Sequence, residues 1–204
     1  MPPCRGDHVV VLAAGRGTRM GMPKALMVVD GQPWWQRQKR RLDEVGVRQT
    51  WVVSEAVRMA MQRHRGVPEV VISSPVKPMF ESMMVGLMRA AADPPRGVFV
   101  LPVDVPVPHV DVFRALAGAA QPALPVCHGV HGHPVYLPWH WLCERVLGPE
   151  FGGRALPLFG GERRLDHLLR SGRVLVDVYD PTISVNLNTP EDVQKWLCPG
   201  LAAD

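Results

Sequence analysis

Apolar residues gather along this chain into short unbroken runs instead of alternating with polar ones. The runs are His8 to Ala14 (HVVVLAA), Thr50 to Ser54 (TWVVS), Glu69 to Ser73 (EVVIS) and Gly97 to Val103 (GVFVLPV). Each is β-branched and too short for a core helix, which predicts strands buried on both faces. Helix-length segments lie between them. Trp34 to Val45 is one, Glu81 to Ala92 (ESMMVGLMRAAA) is a second, with Met84, Leu87, Met88 and Ala91 on one stripe, and His109 to Ala120 is a third. Strand and helix in alternation predict an α/β, Rossmann-like open sheet, mostly parallel and flanked by helices.

After Ala120 the rhythm changes. Ala123 to Pro138 (ALPVCHGVHGHPVYLP) reads as two short strands broken by glycines, a small antiparallel hairpin inserted at the sheet edge. Arg163 to Gly172 reads as a helix ending in glycine, and Arg173 to Tyr179 as a strand. In NTPEDVQKWL a final helix begins, with Thr189 as its N-cap, Pro190 at its first position and Asp192 in its first turn. No internal repeat or low-complexity linker interrupts the pattern. At 204 residues it predicts a single domain over 1–204, with its core at about 8–198.

Charge and cysteine usage remove some classes of function. The net charge is only +4, and the densest basic stretch, Arg37 to Arg41, falls on a predicted helix, where it reads as a solvated face and not a nucleic-acid patch. Cys4, Cys127, Cys143 and Cys198 have no CxxC spacing and read as reduced thiols. No apolar run is long enough for a signal peptide or a membrane span, so a cytoplasmic protein without membrane partners is expected.

Open α/β sheets bind ligands at the carboxyl ends of their strands. The positions that follow the predicted strands are a glycine- and cation-rich loop (Gly15 to Lys24), Ser73 and Ser74, Asp104, and Asn186 with Asn188. Glycines let main-chain N–H groups close on an anion, and Arg19 and Lys24 add fixed charge, a combination suited to a triphosphate. The loop is neither a Walker loop, since Lys24 is followed by Ala25, nor GxGxxG. A solvated surface turn is the plainer alternative.

The stretch LAAGRGTRMGMPKAL (Leu12 to Leu26) resembles the signature loop of the NTP-dependent nucleotidyltransferases, and within them the MobA-like group of molybdopterin cytidylyl- and guanylyltransferases. Three further stretches support the resemblance, in the family's order. They are LPVDVPVP (Leu101 to Pro108), GHPVYL (Gly132 to Leu137) and VNLNTPEDV (Val185 to Val193). The resemblance runs from about residue 8 to residue 196. It implies that Leu12, Ala13, Ala14, Gly15, Gly17, Thr18, Arg19, Lys24, Ser74 and Ser82 meet the nucleotide, with the base edge facing Leu12 to Gly15. Ser82 could equally belong to the start of its helix. Gly132, His133 and Pro134 are implied on the acceptor side. Asp104 is implied as a Mg²⁺ ligand, with Asn186 or Asn188 as the second oxygen donor; some relatives have aspartate there.

The implied reaction is attack by an acceptor phosphate oxygen on the α-phosphorus of the NTP, with Arg19, Lys24 and Asp104 as the catalytic residues and pyrophosphate as the leaving group. Both reactants are anions, so positioning and charge neutralisation carry the catalysis. Ala14, where guanylyl relatives more often have glycine, favours CTP over GTP. Molybdopterin is the leading acceptor, and a molybdoenzyme or its chaperone the candidate macromolecular partner. A sugar-phosphate nucleotidyltransferase and a non-catalytic nucleotide-binding cofactor chaperone are the alternatives. The cluster Cys127, His128, His131 and His133 admits a transition-metal site, although the resemblance covers only His133 and favours a flexible acceptor loop.

Overall fold

In the computed structural model, which describes residues 4, 6–148, 164–170 and 172–198, the apolar runs form one mixed sheet. In chain order the elements are β1 (His8–Ala13), β2 (Val28–Val29), β3 (Gln32–Pro33), α1 (Trp34–Val45), β4 (Arg48–Val53), α2 (Glu55–Met61), β5 (Glu69–Ile72), α3 (Met79–Ala90), β6 (Gly97–Pro102) and α4 (Val110–Leu116). Then come β7 (Ala123–Cys127), β8 (Val130–His131), β9 (Val135–Pro138), α5 (Trp139–Leu142), α6 (Leu165–Leu169), β10 (Val174–Asp177) and α7 (Pro190–Leu197). The main sheet runs β10-β7-β9-β6-β1-β4-β5, with β8 paired to β7, while β2 and β3 form a separate ribbon.

Strand β1 is parallel to both neighbours, β4 and β6. Its unbroken apolar run serves two cores. Val9, Val11 and Ala13 join Trp51, Phe99 and Leu101 on one face, and Val10 and Leu12 join Val52, Val98 and Val100 on the other. The chain leaves β1 towards β4 and β5, then returns to its other side as β6. This reversal opens a crevice beyond the carboxyl ends of β1 and β6.

Several details differ from the sequence reading, beginning with β5, an edge strand whose Glu69 and Ile72 are exposed, so it is not buried on both faces as expected. The buried stripe of α3 is Ser82, Met83, Gly86, Leu87 and Ala90, whereas Met84 is only partly buried and Met88 is exposed. Gly86 decides this. A Cβ there would lie 2.4 Å from Val10 Cγ1 and 2.9 Å from Val52 Cγ2, so the helix presses its glycine face onto the sheet. The antiparallel insertion contains three strands, and its last, β9, lies inside the sheet between β6 and β7. There Tyr136 stacks on Phe99 and gives its hydroxyl to the buried Asp7 carboxylate. The helix expected from Arg163 appears as Leu165–Leu169, while residues 149–163 and 171 lie outside the described residues. The expected α7 cap is present, with Thr189 and Asp192 forming a reciprocal capping box.

The amino end of the sheet holds a buried polar chain with a consequence for stability. His8 Nε2 lies 2.9 Å from Thr50 Oγ1, and that hydroxyl donates to Glu69 Oε2 at 3.1 Å. Because the Thr50 proton is committed, His8 donates from Nε2 and keeps Nδ1 as a buried acceptor without a partner among the described residues. Burial, then the positive charge of Arg48 and Arg89, pushes His8 down to about 4, against the pull of Glu69 and Asp93. The unfolded chain therefore takes up a proton from about pH 6.5 downward that the native chain refuses until pH is near 4. Stability present above pH 6.5 is lost as pH falls through this window, by at most about 1.4 kcal/mol per pH unit from this group. Urea unfolding between pH 7 and 4.5 should show a steeper decline for the parent than for His8→Gln. Equal slopes would contradict a neutral buried His8.

Candidate active site

The crevice beyond β1 and β6 is a cleft of about 300 Å³. It brings together Leu12, Ala14, Gly15, Gly17, Thr18, Arg19, Lys24, Ser74, Ser82 and Asp104 from the sequence-predicted set. Ala13 points to the opposite face of β1 and is core, as the alternation of a strand requires. The loop after β1 is shaped by Gly17, which sits at φ 63°. A Cβ there would fall 1.9 Å from the Met22 carbonyl oxygen, so only glycine fits. Among the described residues no main-chain carbonyl accepts the N–H groups of Gly15, Arg16, Gly17 or Thr18. The loop thus presents donors without internal partners beside Lys24, Arg19 and Lys77 at the cleft wall.

Lys24, Asp104 and Asn188 meet at one point. The Lys24 ammonium donates to Asp104 Oδ2 and to Asn188 Oδ1, both at 2.7 Å, and Arg19 donates to the same Asn188 oxygen at 3.3 Å. The main chain enforces the meeting, because the Leu187 N–H donates to the Asp104 carbonyl at 2.8 Å. Asp192 then accepts the N–H groups of Asn188 and Thr189, each at 2.9 Å, fixing the turn from which Asn188 projects. Asn186 is elsewhere. Its amide donates to the Ser184 carbonyl, and it lines a second pocket.

That second pocket, about 560 Å³, shares Leu12, Met79 and Pro102 with the first. Its wall is largely apolar, with His131, His133, Arg164, Asp166, Ser184 and Asn186 as its polar side chains and Gly132 beside them. Pro134 is buried and does not line it. Burial holds the His133 imidazole below its ordinary range, partly opposed by the negative charge of Asp104, and its Nδ1 has no partner among the described residues. Among the described residues no three His, Cys, Asp or Glu side chains gather as a metal site. His128 turns the β7–β8 hairpin at φ 50°, while His131 lies on β8.

Ser82 is not the N-cap of α3, a place taken by Pro78. Its hydroxyl lies 2.9 Å from that of Ser73, and both side chains are buried. Sequence reasoning missed Lys77, Met79, Arg164 and Ser184. The first two follow the end of β5, where strand-end logic could have found them. The others reach the site only through tertiary contact.

The sequence matches the family model described as the MobA-like NTP transferase domain over residues 9–170. No curated protein matches it by sequence. Among solved structures, the fold is similar to Rv0371c of Mycobacterium tuberculosis in complex with manganese, at TM-score 0.66 and 20% identity, covering 94% of this chain and 97% of that one. It is also similar to a nucleotidyl transferase from Methanothermobacter, at TM-score 0.67 and 22% identity, covering 93% and 95%. Molybdopterin-guanine dinucleotide biosynthesis protein A from Archaeoglobus fulgidus aligns at TM-score 0.63 and 17% identity, covering 95% and 100%. Likeness at these identities speaks for the fold.

Proposed function

Because the chain belongs to the MobA-like NTP transferase family, we propose that it transfers a nucleoside monophosphate from an NTP, CTP in preference to GTP, to the phosphate of molybdopterin in the cytoplasm. The observation that carries this reading is the convergence of Lys24, Asp104 and Asn188 at the mouth of a donor-rich glycine loop. An acceptor phosphate oxygen bonds to the α-phosphorus, the bond from that phosphorus to the bridging oxygen breaks, and pyrophosphate leaves with the electron pair. The acceptor phosphate is already ionised near neutral pH, so no protein base has to remove a proton. Loop N–H groups and Arg19 hold the triphosphate, and Lys24 meets the charge that shifts along it.

The donor set fits a divalent cation. Asp104 and Asn188 offer hard oxygen atoms that converge on one cationic nitrogen, and the remaining positions of an octahedron suit phosphate and water oxygens. Asp104 and Asn188 would hold Mg²⁺, and Asn186, which faces the second pocket, would not. When bound, the ion supplies further neutralisation of phosphate charge. The structure of Rv0371c with manganese is in keeping with a divalent ion in this fold. The second pocket, reached past Leu12 and Met79, would take the acceptor, and its apolar wall suits a flat heterocycle better than a bare sugar. The product would pass to a molybdoenzyme or its chaperone.

Pyrophosphate release from CTP and Mg²⁺ with molybdopterin, with sugar 1-phosphates, or with neither acceptor separates this function from a sugar-phosphate transferase and from a chaperone without turnover. Base preference has its own test. Ala14 is buried at the cleft wall, where its methyl narrows the space for a purine. With Mg²⁺ present, CTP should raise the melting temperature more than GTP, and a tenfold affinity gap corresponds to about 1.4 kcal/mol at saturating ligand. Ala14→Gly should narrow the gap. Equal stabilisation in the parent, or a GTP preference, would sink the cytidylyl assignment and leave the transferase reading intact.

A further inference from the structure

We infer that Trp34, assisted by Gln38, is the positioning residue that fixes Asp104 against Lys24; the inference rests on the reading of Asp104 as a ligand for a divalent ion. Trp34 opens α1 and is fully buried. Its main-chain N–H donates to the Met27 carbonyl at 2.7 Å, at the end of the short turn Lys24–Leu26. Its indole N–H donates to the Val103 carbonyl at 2.6 Å, directly before Asp104. One rigid residue therefore ties together the two segments whose side chains form the Lys24–Asp104 pair.

Gln38 lies one turn along the same helix face and is 2% exposed. Its amide donates to the Val105 carbonyl at 2.7 Å and accepts from the Val107 N–H at 3.0 Å. Asp104 is bracketed by carbonyls that α1 holds on both sides. The third segment joins through Trp196 of α7, which packs edge-on against Trp34 with ring centres 5.4 Å apart, while Arg37 lies 5.1 Å above the Trp196 ring. Helix α7 begins just after Asn188.

Packing alone does not account for these contacts. A phenylalanine at position 34, though smaller, or a near-isosteric methionine at position 38 would keep apolar contact without burying polar atoms that need partners. Trp35, next along the chain, is equally buried, and its indole N–H has no partner among the described residues. The polar atoms of Trp34 and Gln38 are instead committed to the turn that carries Asp104.

Calorimetric titration with CTP and with GTP, in Mg²⁺ and in EDTA, measures how far Mg²⁺ strengthens nucleotide binding. Trp34→Phe keeps a ring and removes the N–H, and Gln38→Met keeps the length and removes both hydrogen bonds. In each, the strengthening by Mg²⁺ is expected to shrink by about tenfold or more, with binding in EDTA within about twofold of the parent. A lowered melting temperature with an unchanged Mg²⁺ effect in both variants would mean packing only and would overturn the inference. Asp104→Ala separates the inference from the reading beneath it. If Asp104→Ala loses the Mg²⁺ effect and both α1 variants keep it, the inference alone fails. If Mg²⁺ acts equally on Asp104→Ala and parent, or has no effect on the parent, the metal reading fails and takes the inference with it.

Discussion

Replacing Asp104 with alanine is expected to slow nucleotidyl transfer by about a hundredfold or more while the protein stays folded. Among the described residues, Asp104 is the one carboxylate paired with Lys24 where Lys24 and Asn188 meet. The fold should survive because the turn is held by main-chain bonds that alanine keeps. Leu187 bonds the Asp104 carbonyl, and Trp34 and Gln38 hold Val103, Val105 and Val107. Steady-state rates beside a thermal melt give both answers. Activity above about a tenth of the parent, a loss of under about 1.4 kcal/mol of transition-state stabilisation, would exclude the metal role. Asp104→Asn, which keeps an oxygen donor and removes the charge, should fall between parent and alanine.

Lys24→Ala should lower kcat far more than it raises KM for the nucleotide, by about a hundredfold against a few-fold. The ammonium is largely shielded from water and lies between two oxygens at the cleft mouth, so its charge is little screened. Negative charge moves towards the leaving pyrophosphate as the α-phosphorus bond breaks, and a fixed cation there helps the transition state more than the bound ground state. Arg19 and the loop N–H groups still line the cleft in the variant and, on the proposed reading, would hold the triphosphate. A variant whose only defect is a raised KM would identify Lys24 as a simple binding group, since uniform binding leaves kcat unchanged.

The local pattern of the chain fixed a large part of this arrangement. Continuous apolar runs predicted β1, β4 and β6, because a strand buried on both faces has no polar side to show; the same kind of run gave β5, which is a strand but lies at the sheet edge and is only partly buried. Turn and cap chemistry is equally local. Gly17 must be glycine for its φ, and Thr189, Pro190 and Asp192 begin α7 through contacts within one turn. The family likeness of the glycine loop, of the Asp104 segment and of the closing stretch was legible for the same reason, since each lies within a few consecutive residues.

What local pattern could not decide were matters of partnership between distant segments. An interior strand and an edge strand can carry the same short apolar run, so VYLP gave no sign that β9 would enter the sheet beside β6. The helical stripe of α3 was misplaced because apolar spacing cannot weigh a glycine, and Gly86 is chosen by the closeness of Val10 and Val52. Pattern could not separate Asn186 from Asn188; a main-chain bond from Leu187 to Asp104, 83 residues earlier in the chain, accompanies the meeting of Asn188 with Lys24, while Asn186 lines the second pocket. In the sequence Trp34 only opened a predicted helix, and the fold brings Met27 and Val103 within reach of its two N–H groups. Sequence periodicity reports which face of an element is buried. It does not report what that face meets, because contacts of long sequence separation depend on how the elements are ordered and packed.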